Sequence, residues 1–412
     1  MRATPPQLDS SDLGSPRKVW ALLCNKDDKF RRDPKFFERH PKLKKDMRSM
    51  LIEWLMEVCS DRKLHRETFH LCIDYLDRYL EKTKRVDPSN LQLIASSCLV
   101  IASKMEEIYP PKIKEIAEYT DGCCSEEHIR DMEEVLLQIL DWNCQPITSI
   151  HWLALYLQLM STCDVTPEVC SKPNAPKRQS RVPLSPTNSY CAQSNRDVSN
   201  RETTSRNANQ SPSRVLHLQD SNNDDMFDEN RSPVNNDQLD ADTTGTNMLE
   251  MSYVGYTSYS EGHVYPDQRC TVPKLMRDEF VRLAMILDLV ILDVESMGFK
   301  YSELAAAVVS CCYEPEHLIH QVTGFRANQL VKVCRFVEPF VRYCENLEPA
   351  GVILPHFADV HREDCHNIQI HIDKSLDHVR EIKRIRIANE ATRKEEEQSA
   401  FRTRKRKLIE YP

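Results

Sequence analysis

Two stretches of this chain are apolar or small on nearly every side. Residues 89–108 read SNLQLIASSCLVIASKMEEI and residues 301–313 read YSELAAAVVSCCY. A helix with no polar stripe to turn toward water has to be enclosed by other helices. The Ala, Ser and Cys residues allow those neighbours to approach closely.

The segments around each stretch supply such neighbours. In residues 46–59, Met47, Met50, Leu51, Trp54, Leu55 and Val58 share one helical face, and in 66–82 the same is true of Phe69, Ile73, Leu76 and Leu80. Tyr109-Pro110-Pro111 stops the buried helix, since proline cannot continue it. A short helix is expected over 112–119. Ser125 then serves as N-cap for a helix over 126–140, with Glu126 and Glu127 at its positive end. A further helix is expected over 148–161. Beyond Pro273 the pattern predicts helices over 274–297, 301–313, 314–322 and 326–346, with Gly324 ending the third of these. A charged helix over 366–398 and the basic run RTRKRK (402–407) follow. The fold class is all-α, with two tandem five-helix bundles.

Between the bundles, residues 164–270 change character. Ile, Leu, Val and Phe make up 14 of these 107 residues, and acids outnumber bases 15 to 10. So little apolar surface cannot offset chain entropy, so a long disordered Ser/Asn/Asp-rich insertion is expected. Tyr253, Tyr256, Tyr259 and Tyr265 near its end read as linker or as a partner motif. The domains are then 1–18 (disordered, regulatory), 19–163, 164–270, 271–365 and 366–412 (helix and basic tail).

Several function classes are excluded. The chain has 8 Gly in 412 residues, with no two spaced to build a phosphate cradle. Such loops need glycine so that backbone N–H groups can reach the anion. A net charge of −8 argues against a general nucleic-acid binder, and no apolar run is long enough to span a membrane. No apolar signal-peptide core is present, and the 16 Cys fall in apolar stretches without C-x-x-C, which suits reduced structural thiols. His361-Arg362-Glu363 lacks the aspartate of a kinase loop, and the histidines at 356, 361, 366 and 371 rotate off one helix face. No catalytic motif, metal site or cofactor is expected.

Local strings add a resemblance. MRSMLIEWLMEVC (47–59), LHRETFHLCIDYLDRYL (64–80), SKMEEIYPPKI (103–113), YTDGCCSEEHIRDME (119–133) and EDCHNIQIH (363–371) are similar, in order, to the cyclin family, most of all to its E-type members. The resemblance implies that 19–163 and 271–365 are the two cyclin boxes of a non-catalytic subunit. Such a subunit binds and activates a cyclin-dependent protein kinase and recruits its substrates at the G1/S transition. Lys104 and Glu133 match the family's kinase-binding pair. Met47, Met50, Leu51, Trp54, Glu57 and Gln92 match its docking patch for R-x-L substrates and inhibitors, expected as an exposed groove with Glu57 meeting the arginine. Pro88 stands where several relatives carry a basic residue.

Other expectations concern regulation. Thr4-Pro5 resembles a phosphodegron read by a ubiquitin ligase, although Leu8 replaces the usual second phosphorylatable residue. Ser15-Pro16 and Ser211-Pro212 fit proline-directed phosphorylation. Arg402, Arg404, Lys405, Arg406 and Lys407 read as a nuclear localisation signal. IHWLALYLQ (150–158) resembles a centrosome-targeting stretch, with helix packing as the alternative. The R-x-x-L at Arg48–Leu51 lies inside an expected helix and counts for little. The runner-up readings are an A-type cyclin acting in S phase or G2 and, lower, a cyclin-fold transcription factor binding DNA.

Overall fold

The computed structural model describes Leu8 and residues 14–30, 32–162, 272–347 and 354–409, with side chains as far as residue 399. Thr4, Ser211, the tyrosine cluster and the insertion lie outside the described residues, which all belong to one compact unit.

The first half begins with α1 (Pro16–Lys29) and continues with α2 (Lys45–Asp61), α3 (Arg66–Lys82), α4 (Leu91–Glu106), α5 (Ile113–Glu118) and α6 (Glu126–Ile139). The small-residue stretch becomes α4, and α2, α3, α5 and α6 pack around it. Ala95, Ser96, Ser97 and Cys98 are fully buried. Ser97 Oγ donates to the Leu93 carbonyl at 2.9 Å and faces that of Ile129 at 3.1 Å, so this hydroxyl is satisfied inside an apolar helix. Ser125 caps α6 as expected, accepting from the His128 N–H at 3.1 Å.

The second half repeats the plan. Around α9 (Tyr301–Cys312) pack α8 (Arg277–Leu292), α10 (Glu316–Thr323), α11 (Ala327–Leu347) and, from before the insertion, α7 (Ser149–Thr162). Ala305 to Val309 are fully buried against these neighbours. Gly324 ends α10 at φ 77°, a left-handed position that a side chain would strain. Pro339 lies within α11, where it withholds one backbone donor.

Two expected boundaries are corrected. The division at 163/164 grouped α7 with the first bundle, but α7 packs chiefly on α9 and α8, and less on α3 and α10. Trp152, Leu153, Leu155, Tyr156, Leu157 and Leu159 cover more than one face of α7, so it is enclosed by several neighbours, with Trp152 set edge-on against Trp20 of α1 at 5.5 Å. The charged helix α12 runs Ser375–Ile409 rather than from 366. Residues ahead of it are held extended: Ile368 forms an isolated β-bridge with His65, and the Gln369 N–H donates to the Leu64 carbonyl at 2.8 Å.

Buried charges join the halves. Arg48 makes a fork on Asp77 at 2.6 and 2.7 Å and donates to the Ile291 carbonyl at 3.0 Å. Asp288 of α8 receives Arg66 and faces His70 Nε2 at 2.9 Å. Tyr301 donates to Asp74 at 3.1 Å; within the second half, Arg386 of α12 pairs with Asp293 at 3.0 Å. Such pairs are costly to bury but costlier to break singly, so they favour this one arrangement of the bundles.

Candidate functional site

Lys104 lies in the last turn of α4 and Glu133 in α6. Packing of α6 on α4 brings them together: Lys104 Nζ bonds both Glu133 oxygens, at 2.6 and 2.8 Å. The lysine remains half exposed, whereas the glutamate is 12% exposed. The pair is therefore a charged surface feature whose two members hold each other extended.

Beside it the chain leaves α4 through Glu107 into Ile108-Tyr109-Pro110-Pro111. Ile108 is 46% exposed and Tyr109 86%, next to the Lys104 charge. Glu107 turns inward instead. Its carboxylate accepts from the His65 backbone N–H at 2.7 Å and from Thr68 Oγ at 2.5 Å. The His65 ring lies between two acids, with Nδ1 2.8 Å from Glu107 and Nε2 3.0 Å from Asp364. Burial works against the imidazolium, but the two carboxylates hold its pKa up to about 11. Burial likewise opposes the Asp364 charge, yet the bonds from His65 and Asn367 keep that carboxyl below the usual range. Sequence reading missed all three residues as a group. The available signal was that three of the strings carrying the resemblance each contribute one of them.

The expected docking patch lies on α2 and the start of α4. Met47, Met50, Trp54 and Gln92 are half-buried and Glu57 is exposed. Leu51 corrects the expectation of an exposed groove residue: at 2% exposed it packs inward. The helical stripe that presents Met47 and Trp54 at the rim carries Leu51 toward α3. A shallow apolar recess opens there between Phe37, Leu43, Met47, Leu51, Leu76 and Leu91. Met47 borders this recess with its flexible side chain, while Met50 and Trp54 lie half-buried on the same helix.

The other singled-out residues are placed as follows. Arg48 of the R-x-x-L string is buried in its ion pair with Asp77. Ser15 is the exposed N-cap of α1, and its hydroxyl makes no capping bond. Residues 150–158 lie in the buried stretch of α7 except His151, which is half-buried; burial and Lys26 push its pKa to about 4. The basic run 402–407 continues the α12 backbone. Among the described residues the cysteines are free, no group of His, Cys, Asp and Glu could hold a metal ion, and no helix is long and apolar enough to cross a membrane.

Comparison with known proteins gives consistent matches. The family model described as "Cyclin, N-terminal domain" matches residues 18–145. A G1/S-specific cyclin-E of Caenorhabditis briggsae is 32% identical over 364 residues, which are 87% of this chain and 52% of that protein. A G1/S-specific cyclin-E1 of Mus musculus is 30% identical over 376 residues, 91% of this chain and 66% of that protein. The chain thus spans about half the length of the nematode relative. A viral cyclin from herpesvirus saimiri superimposes with a TM-score of 0.46 at 13% identity, over 80% of this chain and 99% of that one.

Proposed function

The chain belongs to the cyclin family and is most like G1/S-specific cyclin-E, and from this premise we propose that it binds and activates a cyclin-dependent protein kinase and recruits substrates at the G1/S transition. The observation that carries the reading is the Lys104–Glu133 pair at 2.6 Å beside the exposed Ile108 and Tyr109. A kinase is active only when its lysine–αC glutamate pair is assembled and its activation loop ordered. A rigid surface with matched charge and apolar anchors that fits only that arrangement shifts the kinase population toward it. The catalysis belongs to the partner, and this chain supplies the template.

The rim of Met47, Met50 and Trp54 suits the leucine of an R-x-L peptide, and exposed Glu57 suits its arginine. Ser15 stands at a helix N-terminus, where a phosphate is electrostatically favoured. Nuclear entry through the 402–407 basic run and turnover through Thr4 complete the proposal. The test is affinity purification from cells with identification of the bound kinase, comparing wild type with a Lys104→Ala/Glu133→Ala double variant. The double variant should lose pull-down and kinase activation. Undiminished binding would refute the assignment of this surface.

A further inference from the structure

The segment EDCHNIQIH has no role in the surfaces above, although it makes a series of hydrogen bonds to the first bundle. Asp364 bonds the His65 ring, Ile368 bridges His65, Gln369 donates to the Leu64 carbonyl, and the His371 N–H donates to Ser60 Oγ at 3.0 Å. His65 in turn faces Glu107, the first residue after α4, three positions beyond Lys104. A chain of contacts therefore runs from the C-terminal segment through one imidazolium to the base of the loop that carries Ile108 and Tyr109.

We propose that Asp364 and His65 are positioning residues for the kinase-facing loop 107–111, making the segment 363–371 part of the partner-binding apparatus. The proposal rests on the reading of Lys104, Glu133 and this loop as the kinase surface. Two prolines keep residues 108–111 out of helix, so the loop's aim depends on side-chain anchors, and Glu107 is one. Glu107 shares the His65 cation with Asp364, and a cation between two half-buried acids holds both in place. Removing the Asp364 charge frees the imidazole to lose its proton and its grip on Glu107. The exposed Ile108 and Tyr109 then lose their fixed direction. A partner must reorder them on binding, at a cost in affinity.

The test uses the full chain and a purified cyclin-dependent kinase, with Asp364→Asn, Glu107→Gln, the double variant and His65→Gln. Each single variant should weaken kinase affinity about ten-fold, within the usual range for coupled sites. The double variant should weaken it about as much as either single one, because both act through His65. Affinity for an R-x-L peptide should not change. The His65 imidazole should read as protonated by NMR at pH 8 in wild type and as neutral in Asp364→Asn. Wild-type kinase affinity in Asp364→Asn, multiplicative single effects, or parallel loss of kinase and peptide binding would each overturn the positioning role. Absence of kinase binding by the wild type would overturn the proposed function with it.

Discussion

Replacing Asp288 by alanine should be among the most damaging single changes in this protein. Asp288 is fully buried in α8, where it receives Arg66, faces His70 Nε2 at 2.9 Å and accepts from Gln369 Nε2 at 3.0 Å. It therefore joins α3, α8 and the C-terminal segment. Alanine strands the Arg66 guanidinium, itself fully buried, without a counter-charge. Breaking one side of a buried pair costs about 3–5 kcal/mol. At about 2–4 °C per kcal/mol for a unit of this size, the melting temperature should fall by about 6–20 °C. Scanning calorimetry or far-UV circular dichroism reads this directly. The control is Glu338→Ala, which removes an Arg342 partner at 2.5 Å where the two side chains are 73% and 48% exposed. An exposed i,i+4 pair is worth about 0.3–0.5 kcal/mol, so the control should scarcely move. Replacing both charges, as Arg66→Met/Asp288→Leu, should cost less than Asp288→Ala alone, because no buried charge is stranded. If Asp288→Ala unfolds within ~0.5 kcal/mol of the Glu338→Ala control, the claim that buried charges hold the bundles together is wrong.

Two further outcomes are expected. A Met47→Ala/Trp54→Ala variant should still support phosphorylation of short peptides while losing R-x-L substrates, measured as the ratio of the two rates; equal loss on both would mean that these side chains act only as core. The His65 clamp should also give a pH signature. His65 has a folded pKa of about 11 against an unfolded value near 6.5, so its contribution is complete below pH ~6.5 and declines as pH rises toward 11. Asp364 is shifted downward, so its contribution is present above pH ~4 and is lost as pH falls further. The stability difference between wild type and His65→Gln should therefore be largest near pH 4–6.5 and shrink at alkaline pH, as urea titrations at several pH values can show; a difference that grows above pH 8 would contradict the clamp.

Much of the fold was legible because helix burial leaves a periodic trace. The α4 and α9 stretches announced two enclosed helices, and the stripe from Met47 to Val58 announced a helix packed on one side. The Ser125 cap and the Gly324 ending follow from local backbone chemistry and stood where expected, whereas α4 ends at Glu106, ahead of the Pro110-Pro111 stop. The start of α12 was misplaced although Ile368, Ile370 and Ile372 alternate as in a strand; their extended form is fixed by pairing with Leu64 and His65, and a turn at 373–374 precedes the helix. The pattern alone reads Leu51 as part of a packed face; the resemblance moved it to an exposed groove, and its burial against α3 follows the pattern. Lys104 and Glu133 were reached through resemblance; the packing of α6 on α4 brought them within bonding distance.

The amino-acid sequence by itself determined the helices, their ends, the repetition of an enclosed small-residue helix and the absence of phosphate-cradling loops. Each of these follows from side-chain volume, polarity and backbone freedom within a few residues. Tertiary structure alone decided that α7 crosses into the second bundle and that Arg66 meets Asp288 across 222 positions. It also decided that His65 lies between Glu107 and Asp364. These are contacts between charges far apart in the chain, and a buried charge takes its partner from whichever helix the apolar packing has already brought to it. A lone aspartate in the apolar run Ile286–Ile291 was the one local sign that such a partner had to exist.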